Sequence, residues 1–327
     1  MMKKRVLITG VAGMIGSHLL DELLARGFIV LGVDNLSFGN LSNIRHNLTN
    51  ANFCFKKIDI LNTRKIIGIQ GKFDFIIHLA AFKKNADKRL WLKTLDINSN
   101  GTRNILELAR IKKAKFIFAS TSDVYGKSTE LPFKEYQDSV IGPSDTCRWA
   151  YAVSKIFGEH LVHAYSALYG LKFVILRYFG TFSHRSNFRW SGGHIPIFID
   201  SALKGRRIII HGNGKQTRCM AHVQDIVDGT IRVMSSKKAE GRIINIGGNE
   251  ELSVLDAALK ISKLCGKDNP NIKFIPFKKV FVGYKEIMRR VPDLSRAKRL
   301  AGYSPKISFD DALLMAVNAV SGGRKNG

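Results

Sequence analysis

The first 180 residues alternate apolar runs with amphipathic stretches. The runs "RVLIT" (5–9), "FIVLGV" (28–33), "FDFIIHLA" (73–80), "KFIFAS" (115–120) and "FVILRY" (173–178) are rich in β-branched and aromatic residues. They show little polar alternation, the pattern of strands buried on both faces. Between the first two, "MIGSHLLDELLARG" puts Ile15, Leu19, Leu20, Leu23 and Leu24 on one helical face, and Gly27 stops it. Such alternation predicts an α/β chain with a doubly wound parallel sheet.

After about residue 180 the pattern weakens. "TFSHRSNFRWSGGH" (181–194) reads as a long polar loop and "RRIIIHGNGKQTR" (206–218) as a strand with a turn. "GRIINIGG" (241–248) reads as a buried strand that returns to the main sheet. From about residue 250 the chain reads as helical, then mixed.

Composition narrows the picture. Hydrophobic residues are 45% of 327, enough for a substantial core. No apolar run approaches the ~20 residues of a membrane span. The start "MMKKRVLITG" runs into a glycine motif rather than a cleavage site, so a cytoplasmic protein is expected. Cys54, Cys147, Cys219 and Cys265 are scattered without zinc spacing, so reduced thiols and no metal are expected. The net charge of +26 attracts anions such as phosphorylated small molecules. The basic residues are spread along the chain with no run of five, which is no dedicated nucleic-acid patch.

The candidate chemistry starts at "ITGVAGMIGSHLL", where Gly10, Gly13 and Gly16 follow a strand and open a helix. Gly10 permits the tight turn, Gly13 lets backbone approach a pyrophosphate, and Gly16 lets the helix pack on the sheet. The helix N-terminus offers amide donors to phosphates. Asp34 ends the second strand, placed to accept from the adenosine ribose hydroxyls. A carboxylate there repels a 2′-phosphate, so NAD is favoured over NADP.

A second constellation is Tyr151 and Lys155, four apart on one face of the helical stretch 148–170. A nearby ammonium stabilises a phenolate and lowers its pKa towards acid–base work. Thr121, at the end of "KFIFAST", adds a hydroxyl that can bond the reacting oxygen.

With these residues in place, the chain resembles the extended short-chain dehydrogenase/reductases, specifically the NAD-dependent nucleotide-sugar epimerase/dehydratase group. The resemblance runs through "VDNLS" (33–37), "IDI" (58–60), "HLAAFK" (78–83), "NSNGTRN" (98–104), "STSDVYG" (120–126), "YAVSK" (151–155), "LRYFG" (176–180), "GNGKQTR" (212–218) and "RRVPDLSRAKRLAGYSPK" (289–306). It implies a Rossmann-type NAD-binding domain over 1–180 and a smaller mixed α/β nucleotide-sugar-binding domain over 181–327. It implies Tyr151 as acid/base, Lys155 on the nicotinamide ribose, and Thr121 on the sugar 4-oxygen. It places Gly10, Gly13, Met14, Ile15, Gly16, Asp34, Asn35, Asp59, Ile60, Leu79, Ala80, Ala81, Lys83 and Asn98 around NAD, with Tyr178 near the nicotinamide. Ser122 and Asp123 join Thr121 at the sugar, and Arg218 and Arg290 hold the substrate diphosphate. A homodimer through "GTRNILELAR" and "YAVSKIFGEHLVHAY" is also implied.

Three departures shape the functional expectation. Dehydratases of the group carry an Asp–Glu pair where this chain has Ser122 and Asp123, and UDP-glucuronate decarboxylases carry Glu in place of Asp123. Those decarboxylases also share Gly142, Pro143, Arg148 and Trp149. Gly180 replaces a substrate-binding Asn, and Cys219-Met220-Ala221 replaces an aromatic position. Asp123 reads either as an auxiliary base or sugar ligand, or as a strand-end turn or cap carboxylate. Trp190, Gly192 and Gly193 read as a loop over the sugar or as a packed surface loop. The leading expectation is a UDP-sugar 4-epimerase working through a transient 4-keto sugar. The alternative is a UDP-sugar decarboxylase or dehydratase, and the remote one a non-catalytic RNA-binding protein on this fold.

Overall fold

The computed structural model describes residues 3–83, 87–186, 193–280 and 286–322. Its main body is a sheet of seven parallel strands. In chain order these are β1 (Arg5–Thr9), β2 (Ile29–Asp34), β3 (Phe53–Lys57), β4 (Phe75–His78), β5 (Lys115–Thr121), β6 (Phe173–Tyr178) and, later, β10 (Arg242–Ile246). The spatial order β10-β6-β5-β4-β1-β2-β3 reverses direction between β1 and β4. That reversal opens a crevice at the carboxyl ends of the strands, where ligands bind in doubly wound sheets.

The apolar strands form because both sheet faces are covered. Helices Met14–Ala25 and Val223–Ser235 pack on one face and helices Thr102–Lys112 and Ala150–Tyr169 on the other. β3 was not visible as a buried run. It is the edge strand, its residues Lys56 and Lys57 are exposed, and only Phe53 is buried.

The second lobe carries β7 (Gly180–Phe182), β8 (Ile208–His211), β9 (Thr217–His222), β11 (Glu251–Ser253), β12 (Ile272–Ile275) and β13 (Arg289–Arg290). β9 is its spine and pairs with β7, β11 and β13, while β8 pairs with β12. The stretch read as a loop from 181 thus starts inside a strand, since β7 pairs Gly180 with Met220. This lobe has its own core, with Phe182, Phe198, Ile210, Ile261 and Leu313 buried. Among the described residues no helix is long and apolar enough to cross a membrane.

Candidate active site

A cavity of about 1090 Å³ lies at the carboxyl ends of the main strands, between them and the second lobe. It exceeds an ordinary single-ligand pocket, with room for a dinucleotide and a second ligand.

At the β1–β2 end the wall is mostly backbone. Gly10 has φ +73°, and its amide donates to Val33 O at 2.8 Å. A Cβ on Gly16 would run into the Gly10 carbonyl, so the helix can approach the turn only without one. Gly13 is different: an added Cβ would meet only Gly10 O, at 3.2 Å. As helix N-cap, Gly13 brings no capping side chain, and Met14, Ile15 and Gly16 line the cavity. This opening suits a pyrophosphate on first-turn amides. Asp34 is held by Ala12 N at 3.0 Å and Leu36 N at 2.8 Å, which leaves further lone pairs for ribose hydroxyls. Burial pushes its carboxyl up, and the two backbone bonds pull it back. Asn35, Asp59, Ile60, Leu79, Ala80 and Ala81 complete this wall, with Asn35 Nδ2 donating to Asp59 Oδ2 at 2.8 Å. The residues present fit NAD.

Behind this wall His78 is fully buried, and burial holds its pKa near 3, so it stays neutral. It bridges Thr9 Oγ1 at 2.7 Å and Thr102 Oγ1 at 3.0 Å, which fixes the β4 end where Leu79 and Ala80 begin. Asn98 lies outside the cavity lining. It is buried, accepting from Phe82 N at 2.8 Å and donating to Phe82 O and Ser154 Oγ, each at 3.0 Å. It sets the path of the loop that carries Lys83.

At the β5 end Thr121, Ser122, Tyr151, Lys155 and Tyr178 share the cavity. Ser120 and Arg177, on neighbouring strands, both reach Glu159 of helix Ala150–Tyr169, with Arg177 Nη2 to Glu159 Oε2 at 2.7 Å. This buried clamp fixes the helix, and so Tyr151, against the strand carrying Thr121. Thr121 Oγ1 accepts from Asp123 N at 3.2 Å, so its own proton remains to be donated. Tyr178 donates its hydroxyl to Thr230 at 2.8 Å and is a wall rather than a proton donor.

The expected lowering of the Tyr151 pKa is reversed. Burial raises it, Asp123 raises it further, and Arg148 only partly opposes. Lys155 is engaged elsewhere: its Nζ donates to Ala119 O at 2.7 Å and stands 6.0 Å from the Tyr151 ring centroid. Burial and Lys83 hold Lys155 down at about 7, with Glu159 opposing.

Asp123 is neither a solvent-facing turn residue nor a cavity ligand. It is 1% exposed and forms ion pairs with three cations from three distant segments. Lys83 Nζ lies at 2.8 Å, Arg148 Nη2 at 3.3 Å, and Arg290 Nη1 in closer contact still. Burial would raise the Asp123 carboxyl, but Arg290, Lys83 and Arg148 hold it well below the usual range. A carboxylate so held is a poor proton acceptor. Arg290 is therefore turned to Asp123, although it lines the cavity. Its Nε is buried and has no hydrogen-bond partner among the described residues.

Arg218 lines the cavity from β9, and its Nη1 donates to Thr217 O at 2.7 Å and Ile287 O at 3.0 Å. Sequence reasoning missed Phe38, His184, Arg185 and His194, which also line the cavity. Three of them, His184, Arg185 and His194, fall in the stretch 181–194 that reads as a polar loop. His194 is held near 4 by burial and Arg218 and is neutral. Trp190 and Gly192 lie outside the described residues.

The chain matches the NAD dependent epimerase/dehydratase family over residues 6–247. It is 41% identical over 316 residues to a UDP-N-acetyl-alpha-D-glucosaminuronate decarboxylase of Bacillus cytotoxicus, covering 95% of this chain and 96% of that one. It is 33% identical to UDP-glucuronic acid decarboxylase 1 of Danio rerio, covering 95% of this chain and 71% of the relative. Among solved structures, UDP-glucuronic acid 4-epimerase of Bacillus cereus with UDP-glucuronic acid and NAD superposes with TM-score 0.85 at 30% identity, covering 97% and 99% of the two chains.

Proposed function

Because the chain belongs to the NAD dependent epimerase/dehydratase family, with NAD as its cofactor, we propose that it decarboxylates a UDP-linked uronic acid. The observation that carries this reading is the cluster of Lys83, Arg148 and Arg290 around one carboxylate. Three basic groups converge there on one buried carboxylate, Asp123, beside the cavity. Such a cationic setting suits an acidic sugar better than a neutral hexose. Arg290, which lines the cavity beside Asp123, is the group placed to meet the sugar carboxylate. Arg218 is the candidate for the diphosphate. The decarboxylases at 41% and 33% identity support the same choice over the 4-epimerase that the sequence suggested first.

Bound NAD supplies acceptance and later return of a hydride at the sugar carbon 4. The protein's part is proton handling and charge placement. Tyr151 in its phenolate form takes the proton of the 4-hydroxyl and becomes the neutral phenol, and the Lys155 ammonium is the charge that favours the phenolate beforehand. Thr121 donates to the 4-oxygen. A 4-keto uronate is a β-keto acid. The bond between carbons 5 and 6 breaks, its electron pair moves into the carbonyl system, carbon dioxide leaves, and carbon 5 is then protonated. Half-exposed Val153 and Phe157 on helix Ala150–Tyr169 and Ile111 on helix Thr102–Lys112 support a homodimer through these two helices.

The test is a product mass spectrum after incubation with UDP-glucuronate, UDP-N-acetylglucosaminuronate and UDP-glucose. A product lighter by one carbon dioxide from a uronate is expected. An isomer at unchanged mass would return the assignment to epimerisation.

A further inference from the structure

Two departures singled out in the sequence, Gly180 and Met220, are one feature in the structure. They are directly paired between β7 and β9, and both line the cavity. A Cβ on Gly180 would run into Met220 Sδ. The thioether thus fills the place that a side chain at position 180 would take. Residue 180 can be larger only if the methionine end moves.

The position of this pair is set by register. Thr121 pairs with Tyr178, two residues before Gly180. Arg218 lies two residues before Met220 on β9, so the two share a face of that strand. Gly180 and Met220 therefore stand between Arg218 and the Thr121–Tyr151 pair. A sugar ring spanning from its diphosphate to its reacting 4-oxygen passes them. The flanking polar groups are turned away: Thr181 donates to Ala221 O at 3.1 Å, and Tyr178 donates to Thr230 at 2.8 Å. The strip left between Arg218 and Thr121 at this pair is soft and apolar.

We propose that Gly180 and Met220 together form a specificity wall that selects a UDP-sugar bearing an acylamino group over one bearing only hydroxyls. This rests on the UDP-sugar reading above. A hydroxyl against a thioether loses water and gains no partner, whereas an acyl methyl gains apolar contact. One added methyl in a fitted apolar site is worth about tenfold or more in discrimination.

The test measures binding rather than turnover. The NAD-loaded full chain is titrated calorimetrically with UDP-N-acetylglucosamine and with UDP-glucose. The acylamino ligand is expected to bind about tenfold tighter. Met220→Leu keeps the strip apolar and keeps the preference. Met220→Ser, and Gly180→Asn, which displaces the thioether with a carboxamide, lower it to about threefold or less. Retained NAD content and circular dichroism show that each variant is folded, and the ratio of two affinities does not follow a general loss of stability. Equal binding by the parent chain, or an unchanged ratio in both Met220→Ser and Gly180→Asn, overturns the proposal. No carboxylate takes part, so failure of decarboxylation and failure of this wall are separate results.

Discussion

At the β1–β2 end of the cavity the ligand-facing surface is backbone, shaped by the absence of side chains at Gly10, Gly13 and Gly16. At the β5 end it is backed by a charge cluster, with buried Asp123 behind the lining among Lys83, Arg148 and Arg290, of which Lys83 and Arg290 reach the cavity. The first end works by steric fit and amide dipoles, which are nearly indifferent to pH. The second works by charge balance, which one substitution or one proton can upset. A dinucleotide that is held throughout suits the first. A substrate that changes its own charge by losing a carboxylate suits the second.

The contrast can be broken most forcefully at Asp123. Asp123→Asn removes the buried carboxylate on which half-buried Lys83, Arg148 and Arg290 converge. Breaking buried ion pairs in this way costs about 3–5 kcal/mol, so the melting temperature should fall by roughly 5–10 °C. Calorimetric melting checks this. If the variant melts with the parent chain, the charge cluster is not the framework of that end. NAD content should change little, because Asp123 lies outside the cavity lining.

Gly16→Ala is the matching change at the other end. Its Cβ meets the Gly10 carbonyl, and overpacking of this kind costs about 1–3 kcal/mol. The loss should show chiefly as purified protein stripped of NAD. Normal NAD content would mean that the turn is more pliable than its geometry suggests.

The smallest effect concerns Lys155. Its folded value of about 7 lies below its ordinary 10.5, so the unfolded chain holds the extra proton between the two. The resulting penalty is full below about pH 7 and shrinks as pH rises towards the ordinary value. In cofactor-stripped protein, Lys155→Met should therefore raise the melting temperature at pH 7 by about 2 °C, with the gain narrowing by pH 10. A gain that grows with pH would reverse the assigned sign.

The two ends also differed in how far they could be read from residues alone. The glycine turn was legible because a steric demand dictates residue type at each position, and Asp34 follows within the same strand–helix–strand unit. Thr121, Tyr151 and Lys155 were legible for the same reason, each tied to one element. The charge cluster was not. Residues 83, 123 and 148 meet across separate elements of the first lobe, and Arg290 joins them only through the pairing of β13 with β9. The departure at Asp123 was visible, but its partners were not, so it read as an auxiliary base, a sugar ligand, or a turn or cap carboxylate. β3 and β7 escaped notice because one alternates with exposed lysines at the sheet edge and the other is three residues long.

The central claim is that the charge-rich end receives a uronate and that its carboxyl carbon leaves. UDP-glucuronate and UDP-N-acetylglucosaminuronate labelled with carbon-13 at carbon 6 test it in one vessel, with headspace carbon dioxide and residual NADH both measured. Labelled carbon dioxide from at least one of the two, without accumulation of NADH, is the predicted result. Label retained in a nucleotide-sugar isomer from both, with no labelled gas, would contradict it.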